Sequence, residues 1–293
     1  MTTTSPMPPT VPPLFDRLVD DAAVFPPGNM PLADAVPAHR RHRSAWYSSL
    51  VGPLLCPASQ LPDLRRLADD GDEPLGVTVI VDTGTAGVLE AVDEVANDSQ
   101  LTLRSVEIPI RGEPLADSAR RIVAALDAAM GGSDDEEPAY LEVPRAPGWE
   151  SALDVIAESG YRAKLRTGGA DASAYPSSSE VAAFVLACLD RGVAVKLTAG
   201  LHRAVRHPGP DGATEHGFLN VLLGVARGLD GGDHDDIVAV LDLDDADQLV
   251  AQVRDLSPEH TTRLRRWFAS YGSCSIDEPL TDLIDLGLVT PPQ

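Results

Sequence analysis

Four short segments carry a charged residue where a buried strand would carry an aliphatic one: V-E-I-P around Glu107, L-E-V-P around Glu142, A-K-L-R-T-G around Lys164 and V-K-L-T-A-G around Lys196. Each charge is flanked by apolar residues and stands two positions before a proline, arginine or threonine. Side chains on a strand alternate faces, so Lys164 shares a face with Arg166, and Lys196 with Thr198. The neighbours Ala163, Leu165, Val195 and Leu197 then face the other way. Charge packed against an apolar helix layer is costly, so all four charged residues are expected to point into a barrel interior.

Two amines and two acids in one enclosed space suit carbonyl chemistry. Burial and a neighbouring cation both disfavour the ammonium form, and a neutral amine is a nucleophile towards a carbonyl. One lysine would form a Schiff base, the second would tune it, and a glutamate would carry protons. The competing reading is a purely structural ion-pair network, which has little to recommend it on stability, since apolar replacements of buried pairs are often neutral or better. His202, just beyond the Lys196 segment, is a candidate acid/base group on a loop. His207 and His216 lie further along, with no task assigned to His207 and a helix-opening role equally open for His216. Arg166, Thr167, Gly168 and Gly169, with Thr198 and Arg203, are candidate substrate-binding residues, because glycine-turn N–H groups and the arginine fork both suit oxyanions. The rival chemistry is a divalent cation held by Glu107, Glu142, His202 and Asp82, with the lysines as bases. The acidic run 242–245 is either a further oxygen donor or a helix N-cap. Otherwise no metal and no cofactor is expected.

The segments AKLRTGG and, about thirty residues on, VAVKLTAGLH resemble the paired K-x-S-T-G and V-K-x-x-G-G signatures of deoxyribose-phosphate aldolase and related Schiff-base aldolases. The resemblance covers about forty residues. It implies a barrel in which Lys164 forms the imine, Lys196 perturbs it, and Glu107 or Glu142 takes the acid/base role that an aspartate on an earlier strand has in that family. Arg166 departs from the family's small polar residue, Ala199-Gly200 from its glycine pair, and glutamate from its aspartate. Counted along this sequence the lysines fall on the fifth and sixth strands, one earlier than in the family.

The elements that must position these residues alternate. Apolar runs at 49–57, 75–82, 103–110, 139–144, 161–168, 193–200, 236–243 and 269–275 are separated by amphipathic stretches. Eight strands alternating with helices predict a single (β/α)8 barrel, for which about 250 residues is typical. No GxGxxG turn supports an open doubly wound sheet: the turn after the second run reads DTGTAG. The barrel is expected over 48–293, preceded by a proline-rich disordered tail (1–13) and a helical extension (14–47). Within the extension, DDAAVFPPGNM (20–30) would either plug the closed end or fold over the active face.

Composition narrows the partners. The 293 residues carry 23 Lys and Arg against 45 Asp and Glu, a formal net charge of −22, with 43% hydrophobic residues. Such a surface repels nucleic acid and anionic membranes and leaves a small-molecule substrate, with self-association open. The basic run 40–43 is expected to form surface salt bridges. Three cysteines with no CxxC pair, no secretory signal and no long apolar run point to a reduced, cytoplasmic protein. The expectation is a cofactor-independent lyase or aldolase acting on a small carbonyl compound, phosphorylated or carboxylated in some versions. The alternatives are a metal-dependent isomerase or lyase and a non-catalytic ligand-binding barrel.

Overall fold

Eight parallel strands close into one barrel: β1 (Val19–Asp21), β2 (Val51–Pro57), β3 (Leu75–Ile80), β4 (Leu101–Pro109), β5 (Ala139–Glu142), β6 (Arg162–Arg166), β7 (Val195–Thr198) and β8 (Phe268–Ser273). They are seen in a computed structural model that describes residues 11–68, 73–131, 137–209 and 212–292. Each strand pairs with its neighbours in chain order, and β8 closes the ring on β1 with Val19 opposite Tyr271. Among the described residues eleven helices surround it. They are α1 (Leu32–Ser44), α2 (Leu61–Ala68), α3 (Val88–Ala96), α4 (Leu115–Met130), α5 (Trp149–Ser159) and α6 (Ser178–Asp190), one after each of the first six strands. The long β7–β8 connection holds α7 (Phe218–Leu229), α8 (His234–Leu241), α9 (Ala246–Asp255) and α10 (Pro258–Trp267), and α11 (Asp277–Asp285) follows β8. The single (β/α)8 barrel expected from the sequence is therefore the observed fold.

The period-two pattern explains the layers. Ala163, Leu165, Val195 and Leu197 are buried on the outer, helix-facing side of β6 and β7, leaving Lys164 and Lys196 to the interior. Helix starts use local acceptors, as in α6, where Ser177 and Glu180 cap each other's backbone N–H groups reciprocally.

Two expectations about the elements change. The segment expected as a helical extension, 14–47, contains the first barrel strand at Val19–Asp21, and α1 is the first barrel helix. Only three residues long and two-thirds acidic, β1 lacks the apolar run by which a strand is recognised. Conversely, 236–243 is not a strand, since most of it lies in α8. Asp233 accepts the Asp236 N–H at 3.0 Å and Asp236 accepts the Asp233 N–H at 3.1 Å, which starts a helix whose Ile237 and Leu241 bury one face. One strand lost and one gained keep the total at eight. The gain moves Lys164 and Lys196 to the sixth and seventh strands.

The tail expected over 1–13 lies mostly outside the described residues; Pro13–Phe15 form a 3-10 turn with Leu14 and Phe15 buried. The loop 131–138 is also partly outside them. In the loop 208–215, His207–Pro208 pairs antiparallel with Thr214–Glu215. The segment 20–30 lies at the carboxyl-terminal ends of the strands. Ala22 donates to Ser273 O at 2.7 Å, and a Cβ on Gly28 would come within 3.1 Å of Cys274 Cβ.

Candidate active site

Parallel register sets Glu142 beside Lys164 and Lys164 beside Lys196 across β5, β6 and β7. Inside the barrel these residues join a continuous alternation of charge. Arg166 Nε lies 3.2 Å from Glu142 Oε1, and Glu142 Oε2 lies 2.9 Å from Lys164 Nζ. Lys164 Nζ then reaches Glu107 Oε2 at 2.5 Å, and the other oxygen of the same carboxylate lies 2.5 Å from Lys196 Nζ. Lys196 is also bonded to Asp20, whose Oδ2 accepts a hydrogen bond from Ser270 Oγ at 2.7 Å. Three acids thus face three cations, and the whole ladder is neutral.

The five expected members (Glu107, Glu142, Lys164, Lys196 and Arg166) are brought together. Asp20, Ser270, Tyr140 and Gly52 complete the site and were not singled out by the sequence. Lys196 Nζ sits 5.4 Å from the centre of the Tyr140 ring. Gly52 is glycine because Asp20 needs the space: a Cβ there would lie 1.9 Å from Asp20 Oδ1. One signal for the lysines was available in the composition, since Lys164 and Lys196 are the only two lysines in the chain. An acidic protein that keeps just two lysines, both in its core, is not using them for solubility.

The electrostatics divide the ladder. Burial alone would raise Glu107, but Lys164 and Lys196 outweigh it and hold the carboxyl at about 2. Glu142 is also lowered, because Lys164 and Arg166 overcome its desolvation. Burial works against the Lys196 ammonium, yet Asp20 and Glu107 dominate and raise its pKa. Asp20 is raised, burial exceeding the pull of Lys196. Relative to their ordinary values, the protonated form is thus favoured at Asp20 and Lys196 and the ionised form at Glu107 and Glu142. Access differs too. The Lys196 side chain is 1% exposed, whereas Glu142 is 18% and Arg166 52% exposed at the carboxyl-terminal mouth.

The remaining expected residues are elsewhere engaged. His202 Nδ1 lies 3.2 Å from Glu278 Oε2 and 3.7 Å from Cys274 Sγ. Because both neighbours meet the same nitrogen, and burial pushes the Cys274 thiol up, this group lacks the geometry of a nucleophile–base–acid triad. Arg203 is held by Asp282 through Nε at 3.0 Å and Nη2 at 2.8 Å. Thr167 Oγ1 donates to Thr198 O at 3.2 Å and to Ala199 O at 2.6 Å, clamping the β6 and β7 loops together. A Cβ on Gly168 would meet the Gly200 backbone at 2.8 Å, so this glycine serves loop contact. Gly169 is exposed beside Ala174. Thr198 lies one layer above Lys196, its hydroxyl against Gly272.

Three of the four residues considered for a metal face other partners. Both Glu107 oxygens face lysines, His202 faces Glu278, and Asp82 accepts Ser59 N and Oγ at 3.0 and 2.5 Å. Among the described residues no group of three or more His, Cys, Asp or Glu is placed to hold a metal ion. In the acidic run 242–245, Asp245 is the N-cap of α9 and Asp242 accepts from Ser178. In the run 40–43, Arg40 and Arg43 donate to main-chain carbonyls rather than forming salt bridges. Among the described residues no helix is long and apolar enough to cross a membrane, and the three cysteines are free thiols.

Fold and site together define a parallel (β/α)8 barrel with a neutral ladder of acids and amines through its interior. No protein-family model, no curated protein and no solved structure matches the chain.

Proposed function

We propose that this barrel is a cofactor-independent lyase of the aldolase type, in which Lys164 forms a Schiff base with a small carbonyl compound. One observation carries the reading: the chain's only two lysines grip opposite oxygens of one buried carboxylate, and only Lys164 adjoins the exposed end of the ladder. The corrected strand count also supports it, since the pair now occupies the sixth and seventh strands, where the resemblance to Schiff-base aldolases places them.

Lys164 must lose a proton before it attacks. Glu142, 2.9 Å away and partly exposed, passes that proton towards solvent. The Lys164 amine then adds to the substrate carbonyl to give a carbinolamine, and protonation of its oxygen expels water and leaves the iminium. Loss of the substrate's β-hydroxyl proton to a carboxylate of the ladder breaks the adjacent carbon–carbon bond, releases one fragment as a carbonyl compound and delivers the electron pair to the iminium as an enamine. Protonation of the enamine carbon and hydrolysis by water then free the second fragment and Lys164. Lys196, kept as an ammonium by Asp20 and Glu107, supplies fixed positive charge beside the forming oxyanion. Arg166 at the mouth is the group suited to a carboxylate or phosphate on the substrate.

The saturation of the ladder favours a second reading, a structural ion network in a barrel that only binds ligands. Borohydride reduction in the presence of small aldehydes and keto acids separates the two, because with two lysines every side-chain adduct maps to one of two peptides. A stable mass increase on the Lys164 peptide is expected. No adduct with any reactive carbonyl, or one confined to the Lys196 peptide, overturns the Schiff-base reading.

A further inference from the structure

Cations are scarce in this chain, 23 against 45 acids, yet about a third of them line one cavity at the other end of the barrel. It measures about 1380 Å³ and opens at the amino-terminal ends of the strands, where Val51, Leu75 and Arg162 begin β2, β3 and β6. Eight lining side chains are arginine or lysine and three are aspartate or glutamate, reversing the twofold acid excess of the whole chain. At the apex Lys196 and Asp20 neutralise each other, so the surplus positive charge belongs to the arginines around the rim.

Arg17 lies 3.7 Å from Asp16, but five of the lining arginines take no carboxylate partner among the described residues. Arg40 donates to the carbonyls of Glu73 and Ala68, and Arg43 to those of Ser48 and Val51. Arg265 donates to Leu14, Asp16 and Ala269 carbonyls. A carbonyl orients a guanidinium without cancelling its charge. Burial lowers Arg265 to about 10, as expected for a cation short of counter-charge. Arg104 and Arg266 are exposed and take no hydrogen-bond or ion-pair partner among the described residues.

The backbone presents Arg104 specifically. Val77 pairs with Leu103 and Thr78 with Ser105, which makes Arg104 the extra residue of a β-bulge. Bulges re-aim side chains. Opposite it, a Cβ on Gly76 would come within 3.3 Å of Arg104 Cγ and Nε, so glycine there gives the arginine its room. Arginines that only tied down chain ends would not need a bulge and a facing glycine.

We propose that this amino-terminal funnel binds a small, multiply charged oxyanion, a polyphosphate or polycarboxylate compound, at a site separate from the mouth beside Lys164. Guanidinium forks match phosphate and carboxylate oxygens bidentately. The volume exceeds the roughly 300–1,000 Å³ of common small-molecule pockets, so it admits a ligand of nucleotide size. Nucleic acid and anionic membrane are opposed by the chain's overall net charge of −22.

The test is calorimetric titration of the full chain with inorganic tripolyphosphate and with citrate at low ionic strength. Saturable binding of at least one is expected, and which of them binds identifies the oxyanion. Arg104→Gln and Arg266→Gln should each weaken it about tenfold, the equivalent of about one charge-assisted contact, while Arg120→Gln on the outside of α4 leaves it unchanged. Absence of binding to both anions at millimolar concentration overturns the proposal. So does unchanged affinity in both glutamine variants, or loss of binding in Arg166→Gln, which would place the anion at the opposite mouth. Lys164→Met retains the binding, so failure of the Schiff-base reading leaves this site standing.

Discussion

Lys164 and Lys196 sit side by side in register and share a carboxylate, yet their surroundings have little else in common. Lys196 is closed in by Asp20, Glu107 and the Tyr140 ring, and Ser270 fixes Asp20 in turn. Lys164 has Glu107 on one side and, on the other, a partly exposed Glu142 backed by an exposed arginine. The strand layer each lysine occupies is the same. What differs is whether its second acid reaches solvent, since Asp20 is buried and Glu142 is partly exposed.

Removing one amine at a time probes this difference most strongly. Lys196→Met leaves Asp20 and Glu107 buried and facing each other, and should cost about 3–5 kcal/mol in urea unfolding. Lys164→Met leaves Glu107 with Lys196 and Glu142 with Arg166, and should cost about 1–3 kcal/mol, as for a lost charged hydrogen bond. A larger loss at Lys164 would invert the comparison. Next in size is Gly52→Ala. Its Cβ needs the space of Asp20 Oδ1, so overpacking should destabilise by about 1–3 kcal/mol, and in an Asp20→Ser background, itself weakened by loss of the Lys196 partner, the same substitution should cost less. A Gly52→Ala protein as stable as the parent would mean that Asp20 is not pinned.

The pH response has a definite sign. Glu107 falls from its ordinary 4.5 to about 2 on folding, so its ion pairs contribute in full above the ordinary value. That contribution is lost as pH falls from there towards 2, where the unfolded chain takes up the proton first. Lys196 is raised, so its contribution is complete below its ordinary value of 10.5 and is lost only as pH rises beyond it. Unfolding free energy measured between pH 5 and 2 should therefore slope downward with acid, and Glu107→Gln should flatten the slope. An unchanged slope in that variant would show that other carboxyls govern acid unfolding.

The sequence pattern revealed this cluster of charges more clearly than it revealed the fold's first strand. An isolated charge between aliphatic residues, repeated at Glu107, Glu142, Lys164 and Lys196, is legible because burial makes it expensive. β1 was illegible for a related reason. In Val19-Asp20-Asp21 one acid points inward to Lys196 and the other outward to His39, 3.0 Å away, so neither face looks apolar. The run 236–243 misled because a short apolar stretch fits a strand or a buried helix equally, and its reciprocal Asp233–Asp236 cap depends on geometry rather than composition. Gly168 and Gly169 after Lys164 pointed to anion binding, but Gly168 also serves a close contact with the Gly200 loop, distant in sequence, which local pattern does not encode.

Those loops also carry the smallest expected effect. The strand bearing Lys196 turns at Ala199 and Gly200 with φ of 64° and 69°, while no residue from Thr167 to Gly169, after the strand bearing Lys164, has positive φ. An L-residue in the left-handed region costs about 1–2 kcal/mol, and glycine gives back about 0.4–1 kcal/mol through the freer unfolded chain. Ala199→Gly should therefore stabilise the protein by about 0.5–1 kcal/mol, read as a small rise in the urea midpoint at constant slope. The gain has a local limit. Gly200 must still approach the Thr167 carbonyl, against which its own Cβ would lie at 2.8 Å, so the companion Gly200→Ala should destabilise. Opposite signs at adjacent positions would show that the turn beyond Lys196 is held by contact with the Lys164 loop and strained only at Ala199. A loss of stability in Ala199→Gly would mean instead that the alanine methyl group contributes packing that outweighs its backbone cost.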